Sequence, residues 1–358
     1  MKTAVSVIVP CYNVEPYVDE CLCGLAGQTL PSLEVICVDD GSTDGTLEHL
    51  HRWQEKDERL RVISQANAGV SAARNAGLDA AEGRYVGFVD PDDRVDREMF
   101  SRLLAAAEKD NADVTVCGYR EFAERDGVVV RENGWSPEEG FYAEERVEQF
   151  RRGSPWCRCV GPVYNKLIRK SLLEEHGLRF AEGLKEGEDL AFLLMLLPFA
   201  PRLLTLPDRP YHYRRERPGS ATYGRDLLLG DFRMDLMGMD RVARFWQRHG
   251  LLDSPAVFGL VDYYMEFIRR HFIMKEGAFF KASREDREAL LSGWKKWLEL
   301  VGGEKALVRL DRWDRAFCRL LLDYPLQGNW FASLHSRLMS SRKGRRGAYY
   351  ALKSRLLG

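Results

Sequence analysis

Five short runs rich in β-branched residues punctuate the first 120 residues, and a helical pattern follows each of the first four. The runs are "AVSVIVP", "LEVICVDD", "RLRVISQ", "RYVGFVD" and "DVTVCGYREF". Between them lie "PYVDECLCGLAGQ", "STDGTLEHLHRWQEK", "GVSAARNAGLDAAEG" and "REMFSRLLAAAEKDN". Strands joined through helices lie parallel, because the crossover returns the chain to the same edge. Apolar runs of this kind are strands covered on both faces. The alternation predicts an α/β fold with a Rossmann-like, mostly parallel sheet and flanking helices. Ser42, Thr43 and Asp44 are N-cap candidates for the second helix.

The pattern then changes. A charged, Gly- and Pro-punctuated stretch over 124–140 suggests a hairpin around "DGVVVREN". Helical patterns follow near 143–152 and 166–176, and "PYHYRRERPGSAT" reads as a strand running into a loop. Beyond about Gly224 the pattern is helical throughout, rich in Arg, Leu, Met and Trp. These shifts divide the chain into a domain at 1–222 and a helical region at 223–358. Within the first, the strand–helix alternation takes about 1–120 and the less regular remainder about 121–222.

Ligands of open parallel sheets bind beyond the carboxyl ends of the strands. "PCYN" after the first strand is neither a dinucleotide fingerprint nor a P-loop. After the second strand comes "DDGSTDGT", and after the fourth "DPDD". Acid clusters at two strand ends repel phosphate unless a cation intervenes. Mg²⁺ or Mn²⁺ takes hard oxygen ligands, one or two carboxylates with phosphate and water completing the set. In an extended backbone Asp90 and Asp92 point the same way, and Pro91 keeps Asp90 extended. Taken alone, D-x-D more often caps a helix, here one beginning near Arg97.

The series "VSVIVPCYN", "QTL", "EVICVDDGSTDGT", "NAGVSAARNAGL", "AEGRYVGFVDPDD" resembles family 2 glycosyltransferases of GT-A fold. "NKLIRKSLL", "FAEGLKEGEDLAF" and "YHYRRERPGSAT" continue the resemblance, which does not reach the last third of the chain. It implies inverting transfer of a sugar from a nucleotide diphosphate, a UDP-sugar by preference, to a surface-polysaccharide or lipid-linked glycan acceptor. Carried over position by position, Pro10, Tyr12 and Asn13 form part of the nucleotide wall, and Asp40 accepts from the base. Asn67, Gly69 and Arg74 meet base and diphosphate. Asp90 matches the ribose- and metal-side residue, Asp92 the direct metal ligand, and Asp93 a supporting residue or helix cap. The general base corresponds to Asp189, with Glu188 orienting acceptor or loop. The same two acids also suit the first turn of the helix through Leu190–Leu197, where the macrodipole favours them. His212, Arg214 and Ser220 fall in the stretch resembling a post-catalytic loop able to reach diphosphate. The cofactor implied is a divalent metal, Mn²⁺ or Mg²⁺.

Two other functions share these features: a nucleotide-sugar-binding protein without catalysis, and a sugar nucleotidyltransferase. Intact Asp90, Asp92 and Asp189 disfavour the first. The second lacks the glycine- and basic-rich triphosphate loop expected after the first strand.

Charge and cysteine use bear on partners. The net charge of −1 gives no whole-chain field toward nucleic acid. The eight cysteines show no zinc spacing and read as reduced structural thiols, which suits the cytoplasm. No signal peptide is apparent, and "LAFLLMLLPFA" is too short to span a bilayer. After Asp323 the chain carries only basic charges interleaved with aromatics. That tail suits peripheral docking on the anionic inner face of the cell membrane. RNA binding is the competing reading, without a recognition signature to support it. Met, Phe and Trp stripes in the last third are core faces more often than membrane-binding ones.

Overall fold

A computed structural model of the chain describes residues 3–125, 128–143, 154–184, 186–215, 229–253, 257, 259–261 and 283–307. The chain divides into two compact units, Met1–Arg146 with Arg158–Gly224, and Val147–Cys157 with Arg225–Gly358.

The first unit is built on a mixed sheet of ten strands. One half holds β1 (Val5–Cys11), β2 (Leu33–Asp39), β3 (Leu60–Ser64) and β4 (Tyr85–Phe88), ordered β3-β2-β1-β4 and all parallel. Every residue of β1 and β2 is buried, as continuous apolar runs require. Helices α1 (Glu15–Ala26), α2 (Thr46–Lys56), α3 (Val70–Ala80) and α4 (Met99–Lys109) make the crossovers. Pro10 sits within β1, but the ladder to β4 ends at Ile8, so its missing N–H breaks no bond on that side. Helix α3 lies so close to β1 that a Cβ on Gly77 would stand 2.4 Å from Ile8 Cγ2.

The other half departs from simple alternation. Short β5 (Arg94–Val95) follows the D-P-D-D turn. Then come β6 (Val114–Arg125), β7 (Val128–Trp135), β8 (Gly140–Ala143), β9 (Lys166–Arg169) and β10 (Arg202–Arg215). Strand β9 inserts antiparallel between β4 and β6, and β10 lies parallel to β6. The expected hairpin exists as the antiparallel pair β6–β7. The helical expectation for 166–176 is half right: "KLIR" is strand β9, and only Lys170–Glu175 is helix, α6. The pairing partners on both sides of β9 decide this, and they are remote in sequence. The short α5 (Pro155–Arg158) precedes β9, and α7 (Glu188–Leu196) precedes β10. The helix expected near 143–152 lies outside the described residues.

In the second unit, α8 (Leu229–Arg248) and α9 (Arg284–Leu300) turn Trp246, Trp294 and Trp297 inward, with Met239 and Phe245 buried beside them. Trp297 Nε1 donates to the Met239 carbonyl at 3.0 Å, so these stripes are core. The basic tail lies outside the described residues. Among the described residues no helix is long and apolar enough to cross a membrane. Six described cysteines are free thiols, all buried except Cys23.

Candidate active site

The carboxyl ends of β1, β2 and β4 carry the acids and loops singled out in the sequence. The β1–α1 turn and the "GSTDGT" loop lock together: Asn13 N donates to Ser42 Oγ at 3.1 Å, and Thr43 N to Asn13 Oδ1 at 2.8 Å. Asn13 takes a left-handed φ of 49°, which asparagine tolerates. Ser42 and Thr43 are therefore not caps of α2; its N-cap is Gly45, and only Asp44 contributes, accepting from Thr46 N at 3.0 Å. Tyr12 stands 47% exposed at the rim, while Pro10 is buried in the strand.

Asp40 is 3% exposed, and its carboxylate accepts from Gln65 Nε2 (2.7 Å), Ala68 N (2.9 Å) and Gly69 N (2.8 Å). It thus braces the loop carrying Asn67 and Gly69, both exposed, onto the end of β2.

The D-P-D-D turn is held from β10. Tyr211 Oη donates to Asp93 Oδ2 at 2.6 Å and accepts from Asp90 N at 3.1 Å. Arg214 donates its backbone N–H to Asp93 Oδ1 (2.7 Å) and its Nε to the Asp92 carbonyl (2.9 Å). Asp93 is 1% exposed, and burial with Asp92 and Asp90 nearby pushes its carboxyl well above the ordinary range. The capping alternative fails here, because α4 begins at Met99 with no side-chain cap bond. Arg214 also pairs with Glu20 and Glu124, and His212 Nε2 lies 2.8 Å from Asp96 Oδ1. The resemblance puts both on a loop reaching diphosphate; the structure puts them on β10, where Arg214 braces the turn and His212 meets Asp96 just beyond β5. Ser220 lies outside the described residues.

The centre of the site is Arg74. Projecting from α3 and 3% exposed, it donates Nη2 to Asp90 Oδ1 at 3.1 Å. Its Nη1 reaches Glu188 Oε1 at 3.0 Å and Asp189 Oδ1 at 2.7 Å. The guanidinium also lies 5.2 Å from the Phe180 ring centroid. Burial opposes its charge, but Asp189, Asp90 and Glu188 hold it protonated. Glu188 and Asp189 open α7, preceded by Gly187 in the left-handed region at φ 76°. Asp189 Oδ2 accepts a second bond from Val163 N at 3.0 Å. Burial raises Glu188 to about 7, with Asp189 adding to the shift and Arg74 opposing it. Burial likewise raises Asp90 to about 6; Arg74 opposes, while Asp92 and Asp189 add. Three acids share one guanidinium, with Asp92 and Asp93 close by, so carboxylates outnumber the cation that bridges them.

The cluster joins the end of β4 to the start of α7 across almost a hundred residues of chain. Residues 6–177 match the family described as Glycosyl transferase family 2. A Streptococcus pneumoniae (serotype 4) relative, glycosyltransferase GlyG, is 33% identical over 228 residues, 62% of this chain and 73% of that protein. The chain belongs to glycosyltransferase family 2. Bacillus subtilis (strain 168) has a relative named "Uncharacterized glycosyltransferase EpsJ", 39% identical over 223 residues, 62% of this chain and 64% of that one. The Staphylococcus aureus (strain MW2) poly(ribitol-phosphate) beta-N-acetylglucosaminyltransferase TarS is 32% identical over 327 residues, 89% of this chain and 52% of that protein. The chain thus spans less than two thirds of EpsJ and about half of TarS. A crystal structure of S. aureus TarS 1–349 in complex with UDP-GlcNAc superposes with a TM-score of 0.72 at 24% identity. It covers 98% of this chain and 91% of that one, so the fold is shared.

Family 2 membership raises the question of a divalent ion, and the residues present fit one. Asp90 and Asp92 are hard oxygen donors at a strand end, and Arg74 engages only Oδ1 of Asp90. Among the described residues no three His, Cys, Asp or Glu side chains converge as a ligand set. Such an ion would draw its remaining ligands from phosphate and water, as Mg²⁺ commonly does. Burial raises the carboxyls of Asp90 and Glu188, and neighbouring acids add to both shifts, which a bound cation would oppose.

Sequence reasoning missed the parts that hold the acids. Val163 contributes through its backbone N–H, which no side-chain pattern announces. Arg214 is singled out in the sequence for a different role, and the contacts of Tyr211 and Arg214 with Asp93 are tertiary.

Proposed function

We propose that this chain is an inverting glycosyltransferase, moving a sugar from a UDP-sugar to a hydroxyl of a surface-polysaccharide or lipid-linked glycan, with Mn²⁺ or Mg²⁺ assistance. The observation carrying the reading is the Arg74 bridge, which gathers the donor-side Asp90 and the acids Glu188 and Asp189 at one sheet edge. TarS, named as a poly(ribitol-phosphate) beta-N-acetylglucosaminyltransferase and crystallised with UDP-GlcNAc, supports a UDP-sugar donor and a polymeric acceptor.

In this reading Tyr12 and Asn13 flank the base, and Asp40 orders the 65–69 loop around it. Asp90 and Asp92 would hold the ion, which supplies Lewis-acid stabilisation to the departing diphosphate. The acceptor oxygen attacks C1 on the face opposite the diphosphate. As the new bond forms, the C1–oxygen bond breaks and its electron pair leaves with the nucleoside diphosphate. The hydroxyl proton passes to the Asp189 carboxylate. Arg74 and Val163 N–H fix that carboxylate by one oxygen each, which limits its rotation away from the acceptor. The basic tail after Asp323 would keep the enzyme at an anionic leaflet on the cytoplasmic side, near a lipid-linked acceptor.

A thermal-shift panel of nucleotide sugars, with and without Mn²⁺, tests the donor. Metal-dependent stabilisation by a UDP-sugar is expected; no stabilisation by any nucleotide would sink the proposal. Vesicle flotation with anionic lipid at low salt tests the tail, and a wholly unbound protein would remove the membrane assignment.

A further inference from the structure

Lysine is almost never fully buried unless paired with a counter-charge. Lys166, on β9 in the middle of the sheet, is 1% exposed. Among the described residues no carboxylate lies within ion-pair distance of it. Its ammonium donates instead to two neutral acceptors, the Pro162 carbonyl at 2.6 Å and Asn165 Oδ1 at 2.8 Å. Burial draws it down to about 8, while Cys159, Asp189 and Cys117 face it and partly offset the shift. A strand position of this kind would be filled with less desolvation by methionine or leucine. The charge and its donors therefore call for a reason.

The turn they hold supplies one. Lys166 N–H bonds back to the Val163 carbonyl at 3.2 Å, closing Pro162–Lys166 into a tight loop. Asn165, also 1% exposed, fastens the loop to β6: Nδ2 donates to the Cys117 carbonyl at 2.6 Å, and Cys117 N donates to the Asn165 carbonyl at 3.0 Å. The ammonium grips the first residue of the loop from inside. What the clamped loop presents outward is Val163 N–H, 3.0 Å from Asp189 Oδ2. Arg74 holds only the other oxygen. A carboxylate anchored at one oxygen still rotates about Cβ–Cγ, whereas donors on both oxygens fix its plane.

We propose that Lys166 is a positioning residue, clamping the Pro162–Val163 turn so that the Val163 N–H holds Asp189 in the orientation proton abstraction requires. The inference rests on the reading of Asp189 as the general base. Lys166 touches neither substrate nor reacting atoms in this scheme; it acts through the turn.

Lys166→Met keeps an unbranched side chain one atom shorter and removes the ammonium that makes both hydrogen bonds. Its kcat for sugar transfer is expected to fall by about 10- to 100-fold, with the donor KM within about two-fold of wild type, as a misplaced catalytic group dictates. In an Asp189→Asn background the same substitution should alter residual turnover by less than about two-fold, because two residues acting as one unit are not additive. Losses that add in the double variant, or a raised donor KM with kcat unchanged, would overturn the proposal. A crystal structure of K166M provides a readout without turnover: the Val163–Asp189 hydrogen bond should be lost, and its retention with an intact turn would equally overturn the clamp. A wild-type protein that transfers no sugar removes the base assignment, while the K166M structure still decides the clamp. If K166M does not fold, Lys166→Gln, a shorter neutral donor, undergoes the same measurements and should fall between wild type and the methionine expectation. A K166Q enzyme with wild-type kcat and the contact displaced would refute the link.

Discussion

Arg74 Nη1 lies 2.7 Å from Asp189 Oδ1, and the same guanidinium reaches Asp90 Oδ1 through Nη2 at 3.1 Å. One buried cation therefore ties the proposed base to the proposed metal-side acid. Only a planar fork can serve both, so lysine is not a conservative replacement. Arg74→Lys is expected to lower kcat by about 100-fold while the protein still folds. Arg74→Ala leaves three carboxylates without their cation and should destabilise by about 3–5 kcal/mol in urea denaturation. Wild-type kinetics in R74K would contradict the coupling.

Asp189→Asn keeps the Val163 contact as an acceptor but cannot take a proton. Transfer should fall by at least about 1,000-fold, with UDP affinity by calorimetry changed by less than about three-fold. Undiminished transfer would move the base elsewhere, with Glu188 the next candidate because its carboxyl is raised to about 7.

The neighbouring aspartates of the turn should separate by role. Asp92→Asn is expected to abolish Mn²⁺-dependent thermal stabilisation by the donor and leave the ligand-free melting temperature nearly unchanged. Asp93→Asn should do the reverse. It weakens the acceptor for Tyr211 Oη and Arg214 N, so the ligand-free protein melts lower, by about 1–3 kcal/mol of stability.

Glu188 gives stability a pH dependence of definite sign. Its folded-state value of about 7 stands above the ordinary 4.5, chiefly through burial. The native state thus holds a proton that the unfolded chain has already released. That contribution is complete below about pH 4.5 and disappears as pH rises through about 7. Glu188→Gln should therefore flatten the decline in stability across this window. The shift corresponds to about 3 kcal/mol at most. Parallel denaturation curves for wild type and E188Q between pH 4.5 and 8 would rule the account out.

Much of the parallel half of this fold is legible in local sequence. The βα periodicity of "VSVIVPC", "LEVICVD" and "YVGF" gives parallel strands, since burial on both faces demands unbroken apolar runs. "DPDD" falls at a strand end because Pro91 and three like charges exclude it from the ladder. The other half was less legible. "KLIRKSLL" has helical apolar spacing, yet its first four residues form a strand between β4 and β6, because that slot needs a filler supplied only by pairing. His212 and Arg214 read as residues of a loop, but Asp96 meets His212, and Glu20 and Glu124 pair with Arg214.

The sequence by itself determined which residue types stand at the ends of β1, β2 and β4, and that Glu188 and Asp189 begin a helix. Spacing along one chain segment controls those features. Tertiary structure alone decided that Arg74 gathers Asp90, Glu188 and Asp189, and that a buried Lys166 donates to the Pro162 carbonyl in the turn whose Val163 N–H meets Asp189. Those contacts join segments up to 115 residues apart. Only the packed sheet brings them within hydrogen-bonding distance, and burial there raises the carboxyls of Asp90 and Glu188.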